Sequence, residues 1–150
     1  HSFPTRRSSD LVFKAAIAVA PVTSWKWYDT IYTERYMRTL TENPDGYKNN
    51  SPIYFANRLE GDYLLVHGMG DDNVHFQNTA EMVNALVAAN KQFETYFYPN
   101  RNHGIYGGYT RLHLYRKMTD FLDANLKNGA PLNFHPDPAA SELYTPTQLI

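Results

Sequence analysis

Apolar residues along the chain fall into three short runs, the third interrupted by Glu94 and Thr95, and two longer periodic stretches. Ala15 to Ala20 is wholly apolar and stops at Pro21; Tyr63-Leu64-Leu65-Val66 is closed by His67-Gly68; Phe93 to Tyr98 is stopped by Pro99. Runs this short, each ended by a breaker, predict strands buried on both faces. Between the second and third, Met82, Val83, Leu86 and Val87 recur at helical spacing to about Ala89. Asn78, with Glu81 three positions on, has the form of a capping box for that helix. After the third run, Leu112, Tyr115, Met118, Leu122 and Leu126 predict the apolar stripe of a last helix, with Thr110 as cap and Gly129 and Pro131 as stop signals. The stretch from Pro21 to about Pro52 is aromatic and polar, with a turn at Asn43-Pro44-Asp45-Gly46. Residues 129–150 predict a tail. Strand, helix, strand, helix with short connections predicts parallel strands and an α/β fold. Strands apolar on both faces need helices on both sides, and only two helices are legible, so the chain is short of cover for a complete domain.

Composition narrows the function classes. The 150 residues carry 14 Lys+Arg against 15 Asp+Glu, which argues against a nucleic-acid binder relying on a basic face. No apolar run approaches the ~18 residues of a membrane span, and the absence of cysteine excludes disulfides and thiolate metal sites. Tyrosine is in excess, at 12, with six of these and both tryptophans between residues 25 and 63. The first eleven residues, His1 to Leu11, lack the apolar core of a signal peptide. They read less as a basic targeting tail than as a conceptual translation of a widely used DNA sequencing adapter, so natural sequence is expected from about Val12. Setting aside Arg6, Arg7 and Asp10 leaves 12 basic against 14 acidic residues.

In open α/β sheets functional groups sit in loops after the carboxyl ends of strands. Two such loops are rich in polar residues, His67 to Phe76 and Asn100 to Ile105. Asp71 in the first and His103 in the second could set a carboxylate on an imidazole, as a base that activates a serine hydroxyl requires. The order acid then histidine is that of α/β-hydrolases, whose nucleophile precedes both. The serines stand at 2, 8, 9, 24, 51 and 141, none of them in G-x-S-x-G; the nucleophile is expected upstream of Val12. Spacing alone leaves open that Asp71 is a surface-turn acid and His103 an ordinary loop histidine. It also leaves open a metal-dependent hydrolase built on His67, Asp71, Asp72 and His75. On the plainer reading His67 is a packing residue, Asp72 a structural loop acid, and His113 and His135 are solvated.

Ala18-Val19-Ala20-Pro21-Val22, the segment from Trp25 through YDTIYTERYM to Met37, HGMGDDNVHFQN at residues 67–78, and Asn102-His103-Gly104-Ile105 together carry a resemblance. The chain from Val12 to about Leu126 resembles the C-terminal part of the catalytic domain in the dipeptidyl peptidase IV branch of the prolyl oligopeptidase family. The resemblance implies an incomplete α/β-hydrolase fold over 12–128 and a serine peptidase that removes N-terminal dipeptides with proline or alanine second. It implies Asp71 as the triad acid and His103 as the general base. Val22, Trp25, Tyr28, Tyr32 and Val74 are implied as walls of the pocket for the proline ring, and Asn73 as donor to the carbonyl of the substrate's penultimate residue. Flat aromatic walls suit that ring, because they present area at low entropy cost. Asn102 departs from the Asp that relatives often carry there. The serine elbow, the oxyanion-hole tyrosine and the propeller domain, whose glutamates hold the substrate's amino terminus in the family, are absent from the sequence. The resemblance calls for no cofactor, and implies a peptide substrate and an exported, homodimeric parent. The 150 residues by themselves are expected to be catalytically inert.

Overall fold

The computed structural model describes residues 13–127. Three parallel strands form one sheet in the order β1 (Ala15–Val19), β2 (Asp62–Gly68), β3 (Glu94–Tyr98). Ala15 pairs with Asp62 and Leu64 with Glu94. All three expected strands are present, and β2 runs on through His67 and Gly68, which places that histidine in the sheet rather than after it.

β2 is the centre of the molecule, and its alternate side chains build two cores. Leu64 and Val66 join Tyr98, Ile105, Leu114 and Phe121 on one face. Tyr63 and Leu65 join Ala56, Met82 and Leu86 on the other. The first face is covered by α4 (Thr110–Leu126), the second by α3 (Gln77–Ala88) and a 3-10 segment at Pro52–Arg58. Leu64, Leu65 and Val66 are fully buried, and each such side chain contributes roughly 1.5–3 kcal/mol of transfer free energy. The α/β arrangement with helices on both faces is therefore as expected.

Several local expectations need correction. The buried face of α4 is Leu114, Met118, Phe121 and Leu122, whereas Leu112, Tyr115 and Leu126 are exposed. The two sets share Met118 and Leu122, and the side that faces the sheet is the one that carries Leu114 and Phe121. Val87 likewise points to solvent, so α3 packs through Met82, Val83, Ala85 and Leu86. Asn78 does not cap α3, which starts after Phe76; it lies in the first turn with its side chain engaged elsewhere. Thr110 is the first helical residue rather than the cap, and its hydroxyl accepts from Arg101 Nε at 2.9 Å. Gly129, Pro131 and the tail lie outside the described residues.

The aromatic stretch holds two short helices that periodicity did not reveal, α1 (Thr30–Met37) and α2 (Pro44–Asn49). Both depend on caps. Asp29 accepts from Tyr32 N at 2.8 Å, and Asn43 accepts from Gly46 N at 3.1 Å with Pro44 at the first helical position. The expected Asn43–Gly46 turn is the first turn of α2. Only Thr33 of α1 is buried, which is why no apolar period announces this helix.

Candidate active site

The carboxyl ends of β2 and β3 are zipped together by backbone contacts. Met69 N donates to Tyr98 O at 3.0 Å and Gly70 N to Arg101 O at 2.9 Å. Gly68 permits this closeness, since a Cβ there would stand 2.4 Å from Arg101 O and 2.7 Å from Asn102 O. Beyond the zipper, Asn102 organises the second loop: its Oδ1 accepts from Gly104 N at 3.2 Å and its carbonyl from Ile105 N at 3.0 Å. An Asp at this position could accept from Gly104 N in the same way. Ile105 then plugs into the core at a positive φ of 44°, a strained conformation for a β-branched residue that its burial compensates.

This framework brings Asp71 and His103 together. His103 Nδ1 donates to Asp71 Oδ2 at 2.8 Å, with the carboxylate side chain fully buried and the imidazole 44% exposed. Asp71 Oδ1 accepts from Asn73 N and Val74 N, each at 2.9 Å. Burial by itself pushes the Asp71 carboxyl up. The His103 hydrogen bond, the two backbone N–H groups and the imidazole's charge outweigh it and hold the carboxyl below its ordinary 3.8. An ionised carboxylate on Nδ1 fixes the tautomer, so the lone pair of His103 lies on Nε2, where a proton could be taken.

A third titratable group stands behind this pair. His67, fully buried, places Nε2 at 2.8 Å from Val74 O and 3.1 Å from Asp71 Oδ2, and Nδ1 at 2.6 Å from Thr79 Oγ1. The plainer sequence reading of it as a packing residue does not hold alone; the signal for more is a histidine inside a buried strand four residues before the loop acid Asp71. Both its ring nitrogens are engaged. Among the described residues no group of three or more His, Asp or Glu side chains is arranged to hold a metal. Asp72 and His75 are exposed.

Three of the expected pocket residues, Trp25, Tyr28 and Tyr32, cluster through their rings. Trp25 stacks on Tyr32 at 6.5 Å, and Tyr28 meets both rings edge-on at 6.0 and 5.6 Å. The Tyr28 hydroxyl donates to Asn73 Oδ1 at 3.1 Å, which joins the aromatic cluster to the loop that carries Asp71. Val74, in the same loop, is buried, while Val22 and Trp25 line a groove of about 710 Å³ along β1. Asn78, read as a cap, is instead a clasp: its Oδ1 accepts from Thr23 N at 3.0 Å and Ser24 N at 3.3 Å, and its carbonyl from Thr23 Oγ1 at 2.6 Å. It ties the segment between Val22 and Trp25 to the start of α3.

Comparison with known proteins gives this arrangement a context. The sequence profile of the prolyl oligopeptidase family matches residues 7–129. The chain belongs to the prolyl oligopeptidase family. Among curated relatives it is 49% identical over 117 residues to prolyl endopeptidase FAP of Mus musculus and 46% identical over 114 residues to dipeptidyl peptidase 4 of Sus scrofa. Each match covers 74% of this chain and 15% of the relative, so the chain spans about a seventh of their length. Dipeptidyl peptidase 4 of Porphyromonas gingivalis superposes with a TM-score of 0.77 at 51% identity, over 79% of this chain and 17% of that one. A dipeptidyl aminopeptidase IV of Bacteroides ovatus, described as putative, gives 0.75 at 35% identity, over 79% and 16%. The three parallel strands with helices on both faces are thus part of an α/β-hydrolase fold of this family.

Proposed function

We propose that this chain carries the acid and the general base of a serine peptidase that releases N-terminal dipeptides with proline or alanine in second position. The observation that carries the reading is the 2.8 Å contact between a buried Asp71 carboxylate and Nδ1 of a half-exposed His103, across loops that follow adjacent parallel strands. The nucleophile is supplied by a serine from another part of the complete polypeptide. His103 Nε2 takes the hydroxyl proton as the serine attacks the scissile carbonyl, and returns it to the leaving amine when the tetrahedral intermediate collapses. Asp71 stabilises the imidazolium between these steps. Trp25, Tyr28, Tyr32, Val22 and Val74 form the walls for the proline ring. Asn73, steadied by the Tyr28 hydroxyl, addresses the carbonyl before it.

The test is hydrolysis of Gly-Pro and Ala-Pro chromogenic substrates by the complete peptidase. His103→Ala is expected to lose activity roughly a million-fold and Asp71→Asn roughly ten-thousand-fold, with substrate binding retained. Turnover by His103→Ala within about tenfold of wild type would refute the assignment, on the scale of general acid–base contributions. A second reading concerns the 150 residues taken alone. No serine among them stands in G-x-S-x-G, and the isolated chain is expected to show no turnover of the same substrates.

A further inference from the structure

We infer that His67 is a positioning residue, which holds the Asp71 carboxylate in register with His103 by donating from Nε2 while Thr79 and Val74 fix its ring. The inference rests on the proposed function, because it assigns a task in service of that acid and base.

Hydrogen-bond bookkeeping determines the proton's position. The Val74 carbonyl at 2.8 Å can only accept, so His67 Nε2 carries a hydrogen. The neutral ring then presents a lone pair at Nδ1, and the Thr79 hydroxyl, 2.6 Å away, donates to it. Nε2–H is shared with Asp71 Oδ2 at 3.1 Å. Val74 is used at both ends, its N–H on Asp71 Oδ1 and its carbonyl under His67, so His67, Val74 and Asp71 close a ring of hydrogen bonds. Edge contact with Phe76 at 5.6 Å keeps the imidazole plane in place. All of these atoms are shut away from water, where an unmade hydrogen bond is costly.

The consequence concerns Asp71 Oδ2. Oδ1 is tethered by its own loop through Asn73 N and Val74 N. Oδ2 receives His103 from the loop after β3 and His67 from β2, with Thr79 of α3 behind His67. These are the polar and titratable groups that face the carboxylate. His67 alone among them is anchored in the central strand. It ties the acid to the most deeply buried strand of the sheet and carries part of the carboxylate's charge. Without it, Oδ2 is held only by the half-exposed imidazole it is meant to orient.

His67→Leu keeps volume and removes the donor; His67→Gln puts an amide N–H near the Nε2 position. In the complete peptidase, His67→Leu is expected to lower kcat roughly ten- to a hundredfold, the fold-change of a lost hydrogen bond to a charged group, with KM within about twofold. With Oδ2 relieved of a donor, Asp71 presents more charge to His103, so the acidic limb of kcat/KM moves to higher pH, by about half a unit. His67→Gln recovers most of both effects. A packing role would lower the melting temperature without moving the limb, and Gln would rescue no better than Leu; either result overturns the inference. Neutron diffraction of the wild-type protein near pH 7 is an independent measurement that needs no variant. Deuterium on Nε2 and none on Nδ1 is expected, and deuterium on Nδ1 refutes the assignment. If His103→Ala stays active the proposed function fails; if it is dead while His67→Leu is unaffected, only this inference does.

Discussion

At His67 and Asp71, burial and hydrogen bonding set two proton equilibria that couple folding to pH. Burial is the larger influence on His67 and pushes its imidazole below the ordinary 6.5, against the raising effects of Val74 and Asp71. The unfolded chain takes up a proton near 6.5 that the folded one refuses, so this stability is complete above pH ~6.5 and is lost as pH falls from there. For Asp71 the net depression below 3.8 means that the unfolded state binds the proton first as pH falls. Its contribution is present above about 3.8 and is lost as pH falls through the folded value. Both slopes have the same sign, and the molecule is expected to be acid-labile in two stages. Denaturation midpoints measured from pH 7.5 down to 3 should show His67→Gln flattening the stage that begins near 6.5. Asp71→Asn should flatten the stage below 3.8. Parallel curves for wild type and both variants would contradict the pairing inferred from the geometry.

Among the elements, the strands were legible because each is a short, largely apolar run between breakers; β2 is buried on both faces, whereas β3, whose run is interrupted by Glu94 and Thr95, is exposed at its start. The long helices were legible in place but not in face, since α4 carries apolar residues on both sides of Met118 and which side is buried depends on the sheet it meets. α1 and α2 were hidden because they bury little and are held by the side-chain caps of Asp29 and Asn43. Of the candidate site, the pairing of Asp71 with His103 was legible from loop position and order, whereas the hydrogen-bond partners of His67 and Asn78 were not. Their partners lie in Thr79 and Val74 for one and 55 residues away in Thr23 for the other, and a linear pattern carries no trace of the second kind of contact. The Asn78 clasp yields a prediction at this scale, because it joins α3 to the segment bearing Val22 and Trp25. Asn78→Ala leaves the N–H groups of Thr23 and Ser24 without their acceptor, which costs roughly 1–3 kcal/mol. In the complete peptidase KM for Ala-Pro substrates should rise more than kcat falls, since the wall moves and the acid–base pair does not. Unchanged KM with lowered stability would show that the clasp serves the fold alone.

At the scale of the whole molecule, the sheet is asymmetric in its cover. β2 is enclosed, but β1 is paired on one side only among the described residues, and its side chains are half-buried at best. Alongside it runs the groove of about 710 Å³, walled by Phe13, Ile17, Val19, Val22, Trp25 and Tyr63, with Phe13 60% and Val19 39% exposed. A strand edge with unpaired N–H and C=O groups beside an apolar groove is a template for pairing with another chain. Two large apolar cores argue that the described residues retain the α/β arrangement, so the difficulty lies at this margin rather than in the interior. The isolated 150-residue chain is therefore expected to self-associate in a concentration-dependent way and to bind a hydrophobic dye. Lys substituted for Val19, whose side chain is already partly in solvent, should weaken both effects by placing charge on the edge while leaving the β1–β2 ladder intact. Sedimentation velocity over a hundredfold range of concentration reads the association directly. A monomer throughout that range that binds no dye would mean that the edge is shielded, and that the exposure of β1 does not govern how this chain behaves in solution.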